Sequence, residues 1–306
     1  MEQIATIEAD DEVSGAQRPS LGRRILAFPL TLLVVEFVIV AVAALLAGFV
    51  LRLAGHSGSN GPMQAIGGLV VGLAALVAYG CCQRWIERRA DHELAVSAAP
   101  SVPSGPVELG AGLLGGFLLF SVMTGVVWLL GGIQFSGIRG WGQIWPLLGM
   151  ALYSGPVEEA LFRGVVMRHL ESLIGTWAAL AVTAAFFGGA HLMNPHASLF
   201  AAFAIAVEAG LLLGAAYLLT RRLWLAIGIH AAWNFTQGWV FSVPVSGSAA
   251  PLGLLVTRRV GPEWLTGGDF GLEASAVAMV FATLAGVALL VMAMRRGAIQ
   301  PPMWRR

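Results

Sequence analysis

Long apolar runs separated by short polar breaks dominate the chain. About 20 residues at 1.5 Å each cross the roughly 30 Å hydrocarbon layer of a bilayer. Runs that meet or approach that length occur at 25–51, 63–83, 107–131, 143–168, 174–193, 198–220, 223–243 and 273–294. The pattern predicts an all-α, polytopic membrane protein with about eight transmembrane helices. Residues 1–24 are polar and acidic with Pro and Gly, and read as a disordered tail. Residues 25–296 read as a single transmembrane helical domain with its core at 143–243, and 297–306 as a short tail. The first run is too long and too deep in the chain for a cleaved signal peptide, so it is expected to stay as an anchor. AVSAAPSVPSGPVE, between the second and third runs, has the turn chemistry of a linker.

Composition agrees with the pattern. Hydrophobic residues make up 57% of the 306 and charged residues 11%, and mean hydropathy is +0.78, far from the roughly one-quarter charged balance of soluble domains. A formal net charge of +1 gives no argument for a nucleic-acid partner. Cys81 and Cys82 are adjacent, a spacing that seldom closes a disulfide, and read as structural thiols.

Arginine supplies all the basic side chains, and its distribution orients the spans. With an even number of spans, Arg18, Arg23, Arg24, Arg84, Arg88, Arg89, Arg168, Arg221, Arg222, Arg295, Arg296, Arg305 and Arg306 fall on the side of the termini. Arg52, Arg139, Arg258 and Arg259 fall opposite, and Arg163 lies inside a run. The positive-inside rule then predicts that both termini are cytoplasmic.

Three short segments place chemistry within apolar surroundings. They are GPVEEALFRG with Glu158, Glu159 and Arg163, FFGGAH with Phe187 and His191, and IHAAWNF with His230 and Asn234. An acid or Arg at the centre of a span costs about 2.5 to 3.5 kcal/mol on insertion scales, so these groups are expected to face one another or a water-filled cavity. Glu159 and Arg163 stand four apart with the acid N-terminal, the favourable orientation for an ion pair. Glu158 points about 100° away, free for another neighbour. Pro156 can kink the helix or begin a new one and leave room for water beside the acid. Phe187 shares a helix face with His191, and His230 with Asn234. Gly188 and Gly189 are expected to admit a neighbouring backbone.

These groups suit amide hydrolysis. Glu158 in apolar walls can take a proton from water and return it to the leaving amine. His191 can hold that water, or with Glu158 help hold a metal that acidifies it. His230 and Asn234 can donate to the oxyanion of the tetrahedral intermediate, with a good donor worth about 3 to 4 kcal/mol. No Ser or Cys has a His at an adjacent helical position, and HExxH is absent. A glutamate-activated water is the economical mechanism.

The ordered set Glu158-Glu159-x-x-x-Arg163, Phe187-x-x-x-His191 and His230-x-x-x-Asn234 resembles the three motifs of the CPBP family. This family comprises the type II CAAX prenyl endopeptidases and their bacterial relatives linked to bacteriocin processing and self-immunity. Each motif alone is common; the ordered set within apolar runs is specific. The resemblance covers roughly 143–243 and extends weakly into GGDFGLEAS before the last run. It implies an eight-helix intramembrane protease with Glu158 as the water-activating base, His191 as the water-positioning partner, and His230 and Asn234 as oxyanion donors. Glu159 and Arg163 are supporting residues.

The remaining polar residues receive plainer readings. Glu208 is expected to border the site and Glu36 to make a helix-packing contact. His196 reads as an interfacial turn residue, and Arg168 and His169 as partners of lipid headgroups. The tryptophans read as interfacial anchors, and GGDFG at 267–271 lacks the strand-to-helix setting of a phosphate loop. Expected partners are a hydrophobic peptide or membrane-protein substrate and the lipid bilayer. The expected location is a bacterial inner membrane. No cofactor is obligatory in this reading, although Glu158, His191 and His230 together have the composition of a three-ligand zinc site. The rival class is a non-catalytic immunity factor or an ion- or proton-coupled transporter using the same buried cluster. Transport is disfavoured because the polar residues gather in the fourth to seventh runs and no paired broken helices mark an inverted repeat.

Overall fold

Apolar runs without internal breakers become helices because a backbone in lipid must satisfy its own hydrogen bonds. A computed structural model describes residues 28–55, 61–90, 93–97 and 103–305, together with Gly22. The expected acidic tail, apart from Gly22, and the middle of the Pro/Ser linker lie outside the described residues. Helix α1 spans Pro29–Leu53, α2 Pro62–Cys81 and α3 Gly105–Leu129. Next come α4 (Ile144–Glu159), α5 (Arg168–Ala190), α6 (Leu199–Ile205), α7 (Leu211–Thr220) and α8 (Trp224–Phe235). A short α9 (Glu263–Thr266) precedes α10 (Ala276–Arg295). Pro at the first turn of α1, α2 and α3 starts each helix where no intrahelical donor is lost.

Among the described residues six helices are long and apolar enough to cross a membrane, which makes this a multi-pass membrane protein. One of them, Ile144–Met193, is 50 residues long. Gly175 interrupts it with φ 77° and ψ 167°, a conformation open to glycine and outside any helix. Helix α8 with its following turn, Trp224 to Val240, is shorter than the six.

Helix α8 lies at the centre, packed against α3 and α4, and Ala226 through Asn234 are all buried. Its approach to α3 runs along Gly112, Gly116 and Gly228, where an added Cβ would strike the partner backbone. Small-residue seams of this kind let helices associate when lipid offers no hydrophobic drive. Outward faces remain apolar, as at Leu45, Leu46 and Phe49 of α1.

The all-α expectation needs one amendment. Strand β1 (Ile133–Ile138) pairs antiparallel with β2 (Leu255–Arg259), with Ile133 opposite Arg259. The two segments lie in the polar breaks after α3 and after α8, too far apart in sequence for local hairpin signals to reveal them.

The expectation that Arg168 and His169 meet headgroups is corrected. His169 is buried and its Nε2 lies 3.1 Å from Glu36, while Arg168 donates to Glu36 at 2.9 Å and to Glu87 at 2.7 and 2.8 Å. Glu36 is therefore a packing contact of a specific kind, an ionic tie between α1 and the start of α5. Cys82 is buried, Cys81 half-buried, and both are free thiols. Most tryptophans are exposed, including Trp85, Trp141 and Trp304; Trp233 and Trp239 are instead buried in the bundle.

Candidate active site

The helices that carry the first and third motifs, and α6 beside them, loosen into wider π-helical turns, whereas α5 ends at His191 in a tighter 3-10 turn, His191–Met193. Helix α4 ends at Glu159 and passes into Ala160–Met167, which carries Arg163. Helix α6 passes into Ala206–Gly210, which carries Glu208, and α8 into Thr236–Val240 just beyond Asn234. Such turns concentrate at functional sites because they re-aim side chains and free carbonyls. Pro156 lies within α4, and the irregularity begins one turn after it.

Glu159 is the hub. Its Oε1 accepts from Arg163 Nη1 at 2.9 Å and lies 2.8 Å from His230 Nδ1. Glu159 and Arg163 are fully buried, so the i,i+4 pair expected from the spacing exists in a dry setting. Arg163 also donates to the Ala209 carbonyl at 2.9 Å and lies over the Phe187 ring, 4.6 Å from its centroid. The sequence suggested only that Phe187 shares a face with His191. In the fold it is a wall, 4.8 Å from the His191 ring and 6.2 Å from that of His230.

Hydrogen-bond partners fix which ring nitrogens carry protons. A carbonyl only accepts, so the 2.7 Å contact from His191 Nδ1 to Phe187 O puts a hydrogen on Nδ1 and leaves Nε2 as the basic nitrogen of the neutral ring. The same logic at His230, with Glu159 accepting, leaves Nε2 toward Glu158, whose Oε2 is 3.8 Å away. The Glu158 side chain is 30% exposed, in contrast to its neighbour at 0%. Asn234 donates to Ser154 Oγ at 3.0 Å, which occupies one amide hydrogen and leaves the second.

His191, His230, Asn234 and Phe187 line one small, partly open cavity. Glu208 also lines it, as the sequence suggested, and Glu273 and Ser246 join from the segment before α10. Glu158 is not among the lining residues; His230 is common to the cavity and to the Glu158 contact. Ser246 N donates to Glu273 Oε1. Glu273 precedes the last membrane-spanning helix, and burial pushes its carboxyl up to about 7 against the hydrogen bonds from Ser246 and Gln237. Of these, Ser154 and Ser246 carried no motif signal, and Glu273 was marked only by the weak extension into GGDFGLEAS. Gly188 meets the expectation of close approach, since a Cβ there would strike the Ala202 carbonyl of α6, whereas Gly189 faces open space.

Glu158, His191 and His230 are not among the groups whose ligand atoms gather within 4.8 Å of one another. Among the described residues, the one trio whose ligand atoms all lie within 4.8 Å is Glu36, Glu87 and His169, and its two carboxylates are already engaged by Arg168. His196 is exposed in a left-handed turn, with φ 56°, away from the cavity lining.

Residues 140–236 match the family model described as type II CAAX prenyl endopeptidase Rce1-like, the family its three motifs resemble. None of the curated proteins and none of the solved structures gives a significant match.

Proposed function

We propose that the protein is an intramembrane endopeptidase that cleaves a hydrophobic or membrane-proximal peptide with a glutamate-activated water. The observation that carries this reading is His230, held at Nδ1 by Glu159 with Nε2 3.8 Å from Glu158, on the wall of a cavity shared with His191 and Asn234. Glu158 takes a proton from water as the water attacks the scissile carbonyl, then returns it to the leaving amine. His191 Nε2 accepts a hydrogen bond from the same water and orients it. Asn234, through the amide hydrogen that Ser154 leaves, and His230, when Nε2 also carries hydrogen, donate to the oxyanion. Arg163 and Glu159 position His230 and do not touch the substrate.

In this reading eight helical segments cross the bilayer. The break at Gly175 supports counting Ile144–Met193 as two, and the buried apolar helix α8 supplies the other. Both termini are cytoplasmic, supported by Arg168, Arg221 and Arg296 gathered at one end of the bundle with Glu87, Glu171 and Leu219. A bacterial inner membrane is the proposed location, and the substrate class includes both prenylated and unmodified chains.

The decisive experiment compares membranes carrying wild-type protein and Glu158→Gln by proteomics. Uncleaved substrates should accumulate in the variant. Identical cleavage patterns with equal expression would overturn the reading. A binding-only immunity role would survive Glu158→Gln, so loss of the phenotype separates the classes.

A further inference from the structure

The motif chemistry leaves two buried acids unexplained. Glu208 is 1% exposed on the π-helical turn after α6, and its Oε2 has no hydrogen-bond partner. Glu273 is 2% exposed, held through Oε1 by the Ser246 backbone. Both line the cavity that holds His191, His230 and Asn234, and the two carboxyls act on each other electrostatically. Among the described residues no arginine lines that cavity, and the close contacts of His230 go to Glu159 and Glu158, so that it reaches Glu273 only electrostatically. An intramembrane acid without a partner is costly, and persists where something else answers it.

The surroundings define what would answer it. Ile205, Leu212, Ile229 and Trp233 give the cavity apolar and aromatic walls around the two carboxyls. A cation on a long methylene stem matches that arrangement, with the stem against the walls and the head between the acids. A metal ion matches it less well, since these acids belong to no trio of closely gathered ligand atoms among the described residues. We propose that Glu208 and Glu273 form an acidic subsite that receives a basic side chain of the substrate close to the scissile bond. The inference rests on the peptidase reading for its biological meaning, and its binding test does not.

The test uses the full chain in lipid nanodiscs and N-acetylated, leucine-rich peptides that differ only in lysine or norleucine, which keeps the four-carbon stem and lacks the ammonium, at successive positions. Wild-type kcat/KM should favour lysine by about tenfold or more at one position, the scale of a discriminating buried contact. Glu208→Gln and Glu273→Gln should each bring the lysine-to-norleucine ratio near one. A ratio near one at every position in the wild type, or a preference surviving in both variants, overturns the subsite.

Binding is measured separately on Glu158→Gln protein. The lysine peptide should bind about tenfold more tightly than the norleucine peptide, and adding Glu208→Gln should erase the difference. Equal affinities overturn the subsite even if no peptide is ever cleaved. If the wild type cleaves nothing while the lysine preference in binding persists, the peptidase reading fails and the subsite stands. Zinc bound more tightly by wild type than by Glu208→Gln, with no lysine preference, overturns the proposal in favour of a metal site.

Discussion

Glu159 Oε1 lies 2.8 Å from His230 Nδ1 while accepting from Arg163 at 2.9 Å, so a single buried oxygen joins the first motif to the third. The doublet thus divides its labour. Glu158 remains half-buried and 3.8 Å from the other nitrogen of the same ring.

Removing the cation tests that division. Arg163→Ala leaves Glu159 buried with only a histidine for company, and breaking a buried pair in this way costs about 3 to 5 kcal/mol. Thermal unfolding in detergent should fall clearly, and residual folded protein should have reduced turnover because His230 loses its fixed orientation. A variant as stable as wild type would remove Arg163 from this role.

Glu158→Gln should behave in the opposite sense. The side chain is partly exposed and keeps its size, so the fold should hold while peptide turnover nearly vanishes. Substantial remaining activity would exclude Glu158 as the base and bring Glu159 forward as the group to examine.

The Asn234 amide offers a graded pair of substitutions. Asn234→Ala should lower kcat by about 10²- to 10³-fold if it supplies one oxyanion donor. Ser154→Ala should cost less, about tenfold, because it removes only the group that orients the amide. Equal losses for the two, with unchanged stability, would place Ser154 in the chemistry itself.

Topology is open to reporter fusions. Both termini should report a cytoplasmic location, and cysteines introduced in the strand pair, for example at Ser136 and Thr257, should label from the opposite side. External labelling of either terminus would defeat the arginine argument.

At the far end of the bundle, Arg168→Ala should destabilise by about 3 to 5 kcal/mol, since it leaves buried Glu36 with only His169 and Glu87 with a weaker partner. Arg88→Ala, at an exposed position outside this ionic cluster, should shift the unfolding temperature little. A comparable loss in both would mean that the Glu36 tie carries no special weight.

Much of the site was legible because four-residue spacing is a direct statement about a helix face. Glu159 with Arg163 obeys it, and the gathering of His191, His230 and Asn234 follows from the cost of leaving such groups in lipid. The contact of Glu159 with His230 was not legible, because spacing within one helix says nothing about which of two adjacent acids meets a different helix. Nor were Ser154 and Phe187, whose roles depend on the hand of packing between α4, α5 and α8. The π-helical turns leave no compositional mark in ALFRGVVM or AVEAG. Arg168 and His169 misled for a related reason: they end an apolar run, where headgroups are the usual partners, yet Glu36 on α1 reaches them first. The strand pair escaped because its two halves are more than a hundred residues apart and become neighbours only after the helices assemble.

The Glu159–Arg163 pair has a consequence for biosynthesis. Both partners sit on one continuous stretch of helix, so the acid can be neutralised as soon as that helix forms in the bilayer, without waiting for a neighbour. His230 and Asn234 emerge from the ribosome some seventy residues later, on α8. A chain truncated after α7 should therefore insert stably through its own ion pair while lacking the imidazole and the amide. Such a nascent chain lacks two of the groups the proposed chemistry needs, and the candidate site closes only when α8 arrives between α3 and α4.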